Sequence, residues 1–526
     1  MPYGYEARSP LSIVRHPRDE RAVHSRETGG KHELHFTPQL RKHHTSTIVP
    51  FPTSAPYYAG VRNRPKKQRI HKSLEQWLGI LAVTLISLVA FETLAVATAM
   101  PFVVDILNGR HLYALASGVT LATQLMTTAF AGPWCDAKGP KPSLYTGLLL
   151  FTTGLLVATA APSVEFIVLG RAIQGLGGGL IIVPLYVFVG NYVQPTRQAR
   201  IFSWFAAAWV LPSLIGPVVA GFFVEHLNWR LVFGIVPALM LIIVPLIIKQ
   251  FGRFHDLHEP RPLSGYKRTI AFSGMSGVVI LAIQMLSGLR GEDFDTKIIV
   301  LIIVLSSATL VLTRPLLPPA TFRVRRGLPA TVLLRLMING TYIAVEIFLP
   351  LMLKEVHGWS ATQAGMIMTT GAITWAIGSW VSGRMKNARY RALVPFGGTL
   401  VQMLGTAATI AAVSTSVDGL VALVGWLVAG FGIGLVYPAL TVHALALTPP
   451  ERHGRTSSAL SIADTMGSAL FVAWTGIIFA LTLPLGHVAF AWAIGAMVAI
   501  LAASLLVTRR VLDVTPAKLS TPSPSH

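Results

Sequence analysis

The sequence predicts an all-α integral membrane protein of fourteen transmembrane helices, and three observations predict it. Of the 526 residues, 52% are hydrophobic and only 12% are charged, with a mean hydropathy of +0.59. That is far too apolar for a soluble chain of this length. Apolar runs of roughly 18 to 25 residues recur, each close to the ~20 that a helix needs to cross ~30 Å of hydrocarbon. The period-two alternation of a membrane β-barrel is absent, which leaves helices as the only backbone able to satisfy its own hydrogen bonds in lipid.

Taken in order, the runs place spans at 77–104, 112–133, 142–161, 165–190, 202–224 and 230–248, then at 269–289 and 298–313. Six more follow at 328–353, 361–382, 393–415, 419–446, 457–481 and 486–508. The loops obey the positive-inside rule throughout: 19 Lys and Arg residues fall in one alternating set of loops and 5 in the other. The basic set holds Lys138 with Lys141, Arg197 with Arg200, Arg323 with Arg325 and Arg326, and Arg384 with Lys386, Arg389 and Arg391. Both termini are therefore expected in the cytoplasm, in a multi-pass protein of the cell (inner) membrane.

This distribution explains the net charge of +21 as a topology signal, so no nucleic-acid partner is expected. Residues 1–72 are rich in Arg, His and Pro and lack an apolar h-region, so they read as a disordered cytoplasmic tail and not a signal peptide. Its last stretch, Arg62 to Lys72, abuts the first span, where it can touch anionic membrane lipid. The single cysteine, Cys135, excludes a disulfide framework and a Cys-based metal site. Neither a cofactor nor a metal is expected.

An internal repeat organises the spans. Gly175-Leu-Gly177-Gly-Gly179-Leu is echoed 255 residues later by Gly430-Phe-Gly432-Ile-Gly434-Leu, and Pro195, Arg197 and Arg200 by Pro450, Arg452 and Arg455. A helix ending in a short basic loop is thus used once in each half, as in transporters built from duplicated bundles whose substrate site lies between the halves. The expected divisions are an N-terminal six-helix bundle over 73–250, linkers and an inserted hairpin of spans seven and eight over 251–327, a C-terminal six-helix bundle over 328–508, and a cytoplasmic tail over 509–526. The hairpin tip carries Glu292, Asp293 and Asp295.

Five charges remain inside spans: Glu92, Arg171, Arg335, Glu346 and Asp464. An ionisable group at a helix centre costs ~2.5 to 3.5 kcal/mol or more, so each should face the bundle interior or a water-filled cavity. A carboxyl group in a partly desolvated cavity can load and release a proton as access alternates, and Glu92 and Glu346 each lie deep in the first helix of a half. Arg335 precedes Glu346 by about three turns, roughly 16 Å, too far to pair but able to line the same cavity. The alternative is that the charges pair with one another and hold the bundle together, a reading most open for Asp464. Arg171, beside Gln174, orients neighbouring groups or binds an anion.

These residues lie in motifs that resemble the major facilitator superfamily, in particular its fourteen-helix drug:proton antiporter branch. After span two, Gly132-Pro-Trp-Cys-Asp136-Ala-Lys138-Gly139-Pro-Lys141 is similar to the family's cytoplasmic gate motif, with Ala137 where a basic residue is usual and Pro140 also departing. Arg171-Ala-Ile-Gln174-Gly175 matches its R-x-x-Q-G motif, which the resemblance associates with proton coupling. Pro212-Ser-Leu-Ile-Gly216-Pro217-Val-Val-Ala-Gly221 resembles the antiporter motif, with Trp204, Pro212 and Ala220 in place of usual small residues. Trp229-Arg230-Leu-Val-Phe233 and Phe91-Glu92 to Pro101 follow the family pattern. In the second half, Gly383-Arg384-Met-Lys386 is a degenerate copy of the gate motif.

The resemblance covers about residues 75–510 and implies two six-helix bundles of the major facilitator fold with a central two-helix insertion. It implies a monomeric secondary transporter exchanging protons for small amphiphilic compounds. Gln124, Gln174, Asn339, Tyr342, Trp375 and Trp426 are the candidate cavity-lining residues; each is equally able to serve packing. A dedicated exporter of one metabolite, lipid or siderophore is the alternative within the class, and a non-transporting sensor lies outside it. No P-loop, H-E-x-x-H or nucleophile elbow lies on a span, so enzymatic chemistry is not expected.

Overall fold

The computed structural model describes residues 72–254, 266–289, 293–385, 387–449 and 452–512. Both tails lie outside them, apart from Lys72 and residues 509–512, as do Glu292, Lys386 and Pro450. Among the described residues there is no strand, and fifteen α-helices form the chain. These are α1 (Lys72–Ile106), α2 (Tyr113–Lys138), α3 (Pro140–Thr159), α4 (Val164–Tyr192), α5 (Pro195–Ala207), α6 (Val210–His226) and α7 (Arg230–Gly252). Next come α8 (Lys267–Leu286) and α9 (Thr296–Thr313). The last six are α10 (Leu328–His357), α11 (Ala361–Arg384), α12 (Ala388–Thr409), α13 (Leu420–Ala446), α14 (His453–Thr482) and α15 (Val488–Leu512).

Twelve of the helices are long and apolar enough to cross a membrane. Thirteen expected spans coincide with one helix each, but the fifth, 202–224, is divided between α5 and α6. The reason is Pro212, which has no N–H to give the carbonyl four residues earlier. That carbonyl, Ala208 O, accepts instead from Ser87 Oγ of α1 at 3.1 Å. The same device serves two prolines inside helices: Pro184 leaves Leu180 O to Ser143 Oγ (3.4 Å), and Pro438 leaves Gly434 O to Ser379 Oγ (3.2 Å). In hydrocarbon, where no water can satisfy a freed carbonyl, a neighbouring hydroxyl is the available substitute.

Helices α1–α4, α6 and α7 pack with one another, as do α10–α15. The repeated glycines set these contacts in both halves. A Cβ on Gly175 would lie 2.1 Å from Thr123 Oγ1 of α2, and one on Gly177 2.3 Å from the Phe151 nitrogen of α3. In the second half, a Cβ on Gly430 would lie 2.4 Å from Gly371 O of α11, and one on Gly432 2.3 Å from the Gln402 nitrogen of α12. Helices α4 and α13 are thus each gripped between two neighbours through bare backbone, the small-residue packing that stands in for a hydrophobic drive inside lipid.

The inserted pair α8–α9 lies against both bundles. Ser273 Oγ donates to Leu125 O of α2 (3.0 Å), while the buried Gln284 donates to Ala469 O of α14 (3.1 Å). Trp474 of α14 donates to Ser306 Oγ of α9 (3.0 Å).

Candidate functional site

The five intramembrane charges fall into three arrangements. In the first bundle Glu92 of α1 is 1% exposed, and its Oε1 lies 3.3 Å from Arg171 Nη1 of α4. Arg171 is also held by its Nε, which donates to Ala116 O of α2 at 2.7 Å. One guanidinium therefore ties three helices, with Gln174, one turn further along α4, against the Glu92 carboxyl.

In the second bundle Arg335 of α10 grips Asp464 of α14 with two nitrogens, Nε to Oδ1 at 2.9 Å and Nη2 to Oδ2 at 2.8 Å. The fork-to-carboxylate geometry is the strong, directional form of this pair. Its guanidinium carbon stacks 3.6 Å above the Tyr437 ring, Tyr437 Oη donates to Asp464 Oδ2 (2.9 Å), and Arg335 Nη1 donates to Thr441 Oγ1. Asn339 Nδ2 donates to Ser468 Oγ (3.1 Å). All three guanidinium nitrogens of Arg335 and both carboxylate oxygens of Asp464 are engaged, which is the arrangement of a clamp.

Glu346 stands apart. Among the described residues its carboxylate makes no hydrogen bond and no ion pair. It lies one turn beyond Tyr342 on α10, whose ring stacks on Trp426 of α13 (4.4 Å between centroids) and meets Trp375 of α11 edge-on at 5.0 Å. Tyr342 Oη and Trp426 Nε1 are buried without a hydrogen-bond partner. Three expected cavity residues are thus brought together one turn along α10 from Glu346, but Tyr342 and Trp426 are wholly buried and pack on each other, which leaves Trp375 as the partly exposed one. Gln124 faces α4 opposite Gly178.

The gate-motif residues join α2 and α3 to the segments just after α7 and just before α8. Gly139, at φ +79°, turns the chain from α2 into α3, a conformation that glycine adopts freely. Asp136 accepts from Tyr266 Oη (2.8 Å), and Lys141 Nζ donates to Phe254 O (2.6 Å). Lys138 is exposed, and a Cβ on Gly132 would meet nothing within 4 Å. The antiporter-like motif makes α6 a wedge between the bundles: Gly216 faces Phe91 O and Leu94 of α1, and a Cβ on Gly221 would lie 2.6 Å from Thr362 Cα of α11. Pro217 packs against Gly365 of α11, and Pro212 breaks the helix behind it.

Contacts between the bundles gather at the end where α1 passes into α2. Glu225 accepts from the Thr362 nitrogen (2.7 Å) and hydroxyl (3.0 Å), Lys354 pairs with Asp105, Arg110 pairs with Glu355, and Tyr113 Oη donates to Ile347 O. Sequence reasoning missed this seam, because charges at span ends read as ordinary interfacial residues. It also missed Tyr437, whose only signal is its place three residues beyond the repeated glycines.

The pattern of the Major Facilitator Superfamily matches residues 80–472. Over 421 residues, 77% of this chain and 88% of the relative, the sequence is 25% identical to a protein of Mycobacterium tuberculosis described as a probable multidrug-efflux transporter. It is 24% identical to Multidrug resistance protein 3 of Bacillus subtilis over 417 residues, 76% and 78% of the two chains. A POT family transporter solved in complex with 5-aminolevulinic acid has the same fold, with a TM-score of 0.62 over 86% of this chain and 99% of that one, at 13% identity. With its all-helical paired bundles and a family match over well more than half its length, this multi-pass membrane transporter belongs to the Major Facilitator Superfamily.

Proposed function

We propose that the chain is a proton-coupled antiporter that exports small amphiphilic compounds by alternating access around a site between its two bundles. The observation that carries this reading is the contrast between two acids on equivalent helices: Glu92 is held by Arg171, whereas Glu346 has no cation partner among the described residues. At membrane depth an acid without an internal counterion takes its compensation from a proton or from a charged ligand. Its charge is then free to change with access, as coupling requires. The partly exposed ring of Trp375, backed by the buried Tyr342 one turn from Glu346, suits a planar amphiphile, and the relatives described as multidrug-efflux proteins favour export.

The seam between the bundles supports a conformation closed at the α1–α2 end. In the orientation argued from the Lys and Arg distribution that end is external, both termini are cytoplasmic, and the cavity fills from inside the cell membrane. The protein acts as a monomer in this reading. Purified protein in vesicles, given an inward proton gradient and a panel of amphiphilic dyes, tests it. Glu346→Gln should abolish gradient-driven accumulation while leaving dye exchange at equal pH in place. If both Glu346→Gln and Glu92→Gln transport like the wild type under the gradient, the coupling assignment is wrong.

A further inference from the structure

The linker between α9 and α10 does more than join the insertion to the second bundle. Residues 317–323 fold back on the last turns of α9 and leave a groove of about 200 Å³, walled by Leu310, Val311, Leu317 and Phe322 and flanked by Arg314 and Arg323. The groove wall is almost wholly carbon, yet two of the residues that line it, Arg314 and Arg323, carry guanidinium groups. Neither makes an ion pair among the described residues. The segment supplies no relief of its own: Arg314, Arg323, Arg325 and Arg326 fall within thirteen residues, and no Asp or Glu occurs from 314 through 345.

The backbone around the groove is held in an unusual shape. Ala320 and Val324 have φ values of +66° and +52°, a region that a β-branched residue such as Val324 adopts only when its surroundings impose it. Here Thr321 Oγ1 donates to Pro318 O (2.6 Å), Arg510 Nη1 of α15 donates to Val324 O (3.2 Å), and the Gly327 nitrogen donates to Arg510 O (3.2 Å). The groove is thus built, and it opens beside the least buried of the apolar helices: only 17% of the α9 span is covered by protein. Ile303, Val304 and Val311 of α9 are each more than half exposed.

We infer that this groove binds one anionic phospholipid of the surrounding bilayer, with its phosphate between Arg314 and Arg323 and an acyl chain running from the groove along the apolar face of α9. A soluble anion would meet the arginines but gain nothing from the carbon wall. A zwitterionic lipid would fill the wall and offer a phosphate, but its headgroup cation would lie beside the two guanidinium groups and offset the charge that the phosphate brings. Basic pockets at this depth take anionic headgroups for the same reason, and an acyl chain adds affinity with each methylene removed from water or detergent contact.

The test is native mass spectrometry of the delipidated full-length protein titrated with long-chain phosphatidylglycerol, long-chain phosphatidylcholine, dihexanoyl phosphatidylglycerol and inorganic phosphate. The wild type should hold one long-chain phosphatidylglycerol about tenfold more tightly than the phosphatidylcholine. R314A/R323A should lose that preference, and R314K/R323K should retain most of it. Val311→Trp, at a position 66% exposed and so tolerated by the fold, should block the groove and lower retention of the long-chain lipid with the arginines intact. An unchanged preference in R314A/R323A overturns the assignment, as does unchanged retention in the Val311→Trp variant should the double variant not fold. Equal competition by dihexanoyl phosphatidylglycerol or inorganic phosphate overturns the acyl-chain part and leaves a simple anion site.

Discussion

The two bundles repeat their glycines faithfully and their intramembrane charges not at all. Gly175, Gly177 and Gly179 of α4 and Gly430, Gly432 and Gly434 of α13 sit at the same offset and press on equivalent neighbours. At that same offset, however, Arg171 is replaced by Trp426. The first bundle therefore gives the acid of its leading helix a cation, while the second gives Glu346 an aromatic stack and spends its own arginine, Arg335, on Asp464 of α14. Packing is the constraint a duplicated helix pair cannot escape, since backbone contacts under 3 Å leave no room for a side chain. Charge placement is free to diverge, and divergence is what separates a paired acid from an exchangeable one.

The comparison breaks most visibly at the clamp. Asp464→Asn leaves the Arg335 guanidinium buried without its carboxylate, and removing one partner of a buried pair costs about 3–5 kcal/mol. The purified variant should show a large fall in thermal midpoint or fail to yield folded protein, whereas Glu346→Gln should melt close to the wild type. Equal losses in the two variants would show that Glu346 is also a structural charge.

Glycine substitutions probe the shared part. Gly175→Ala and Gly430→Ala each drive a Cβ into backbone or hydroxyl oxygen, an overpacking cost of about 1–3 kcal/mol. The two thermal shifts should agree, because the two grips are equivalent. A tolerated Gly430→Ala beside a destabilised Gly175→Ala would mean that only the first bundle relies on this contact.

Glu92→Gln sharpens the contrast within the acids. It weakens a single-point ion pair while Arg171 keeps its bond to Ala116 O, so a loss of about 1–3 kcal/mol is expected, with loss of gradient-driven transport. Stability should therefore fall in Glu92→Gln and hold in Glu346→Gln, measured side by side by thermal unfolding in one detergent. The smallest effects belong to the proline-freed carbonyls. Ser87→Ala and Ser379→Ala each remove one hydroxyl donor, worth about 1 kcal/mol, and their thermal shifts should be similar in the two bundles.

Much of this architecture is legible in the chain. Hydropathy located thirteen of the fourteen expected spans as single helices, because burial in lipid is a demand that each run of ~20 residues must meet by itself. What hydropathy could not reveal was the division of the fifth span, since Pro212 is tolerated or not according to whether a neighbour such as Ser87 can satisfy Ala208 O. Of the site, the sequence isolated the five intramembrane charges by the cost of placing them in lipid. It left open how they pair, and Arg335 was expected to share a cavity with Glu346 before the fold joined it to Asp464.

By itself, then, the sequence determined a membrane protein of two related halves, with its glycine repeat and its intramembrane charges, because each follows from local composition or from a repeat along the chain. Only the tertiary structure decided that Glu92 meets Arg171 across 79 residues, that Arg335 meets Asp464 across 129, and that Glu346 meets neither. Helix register and crossing geometry fix those pairings, and no property of a single helix encodes them.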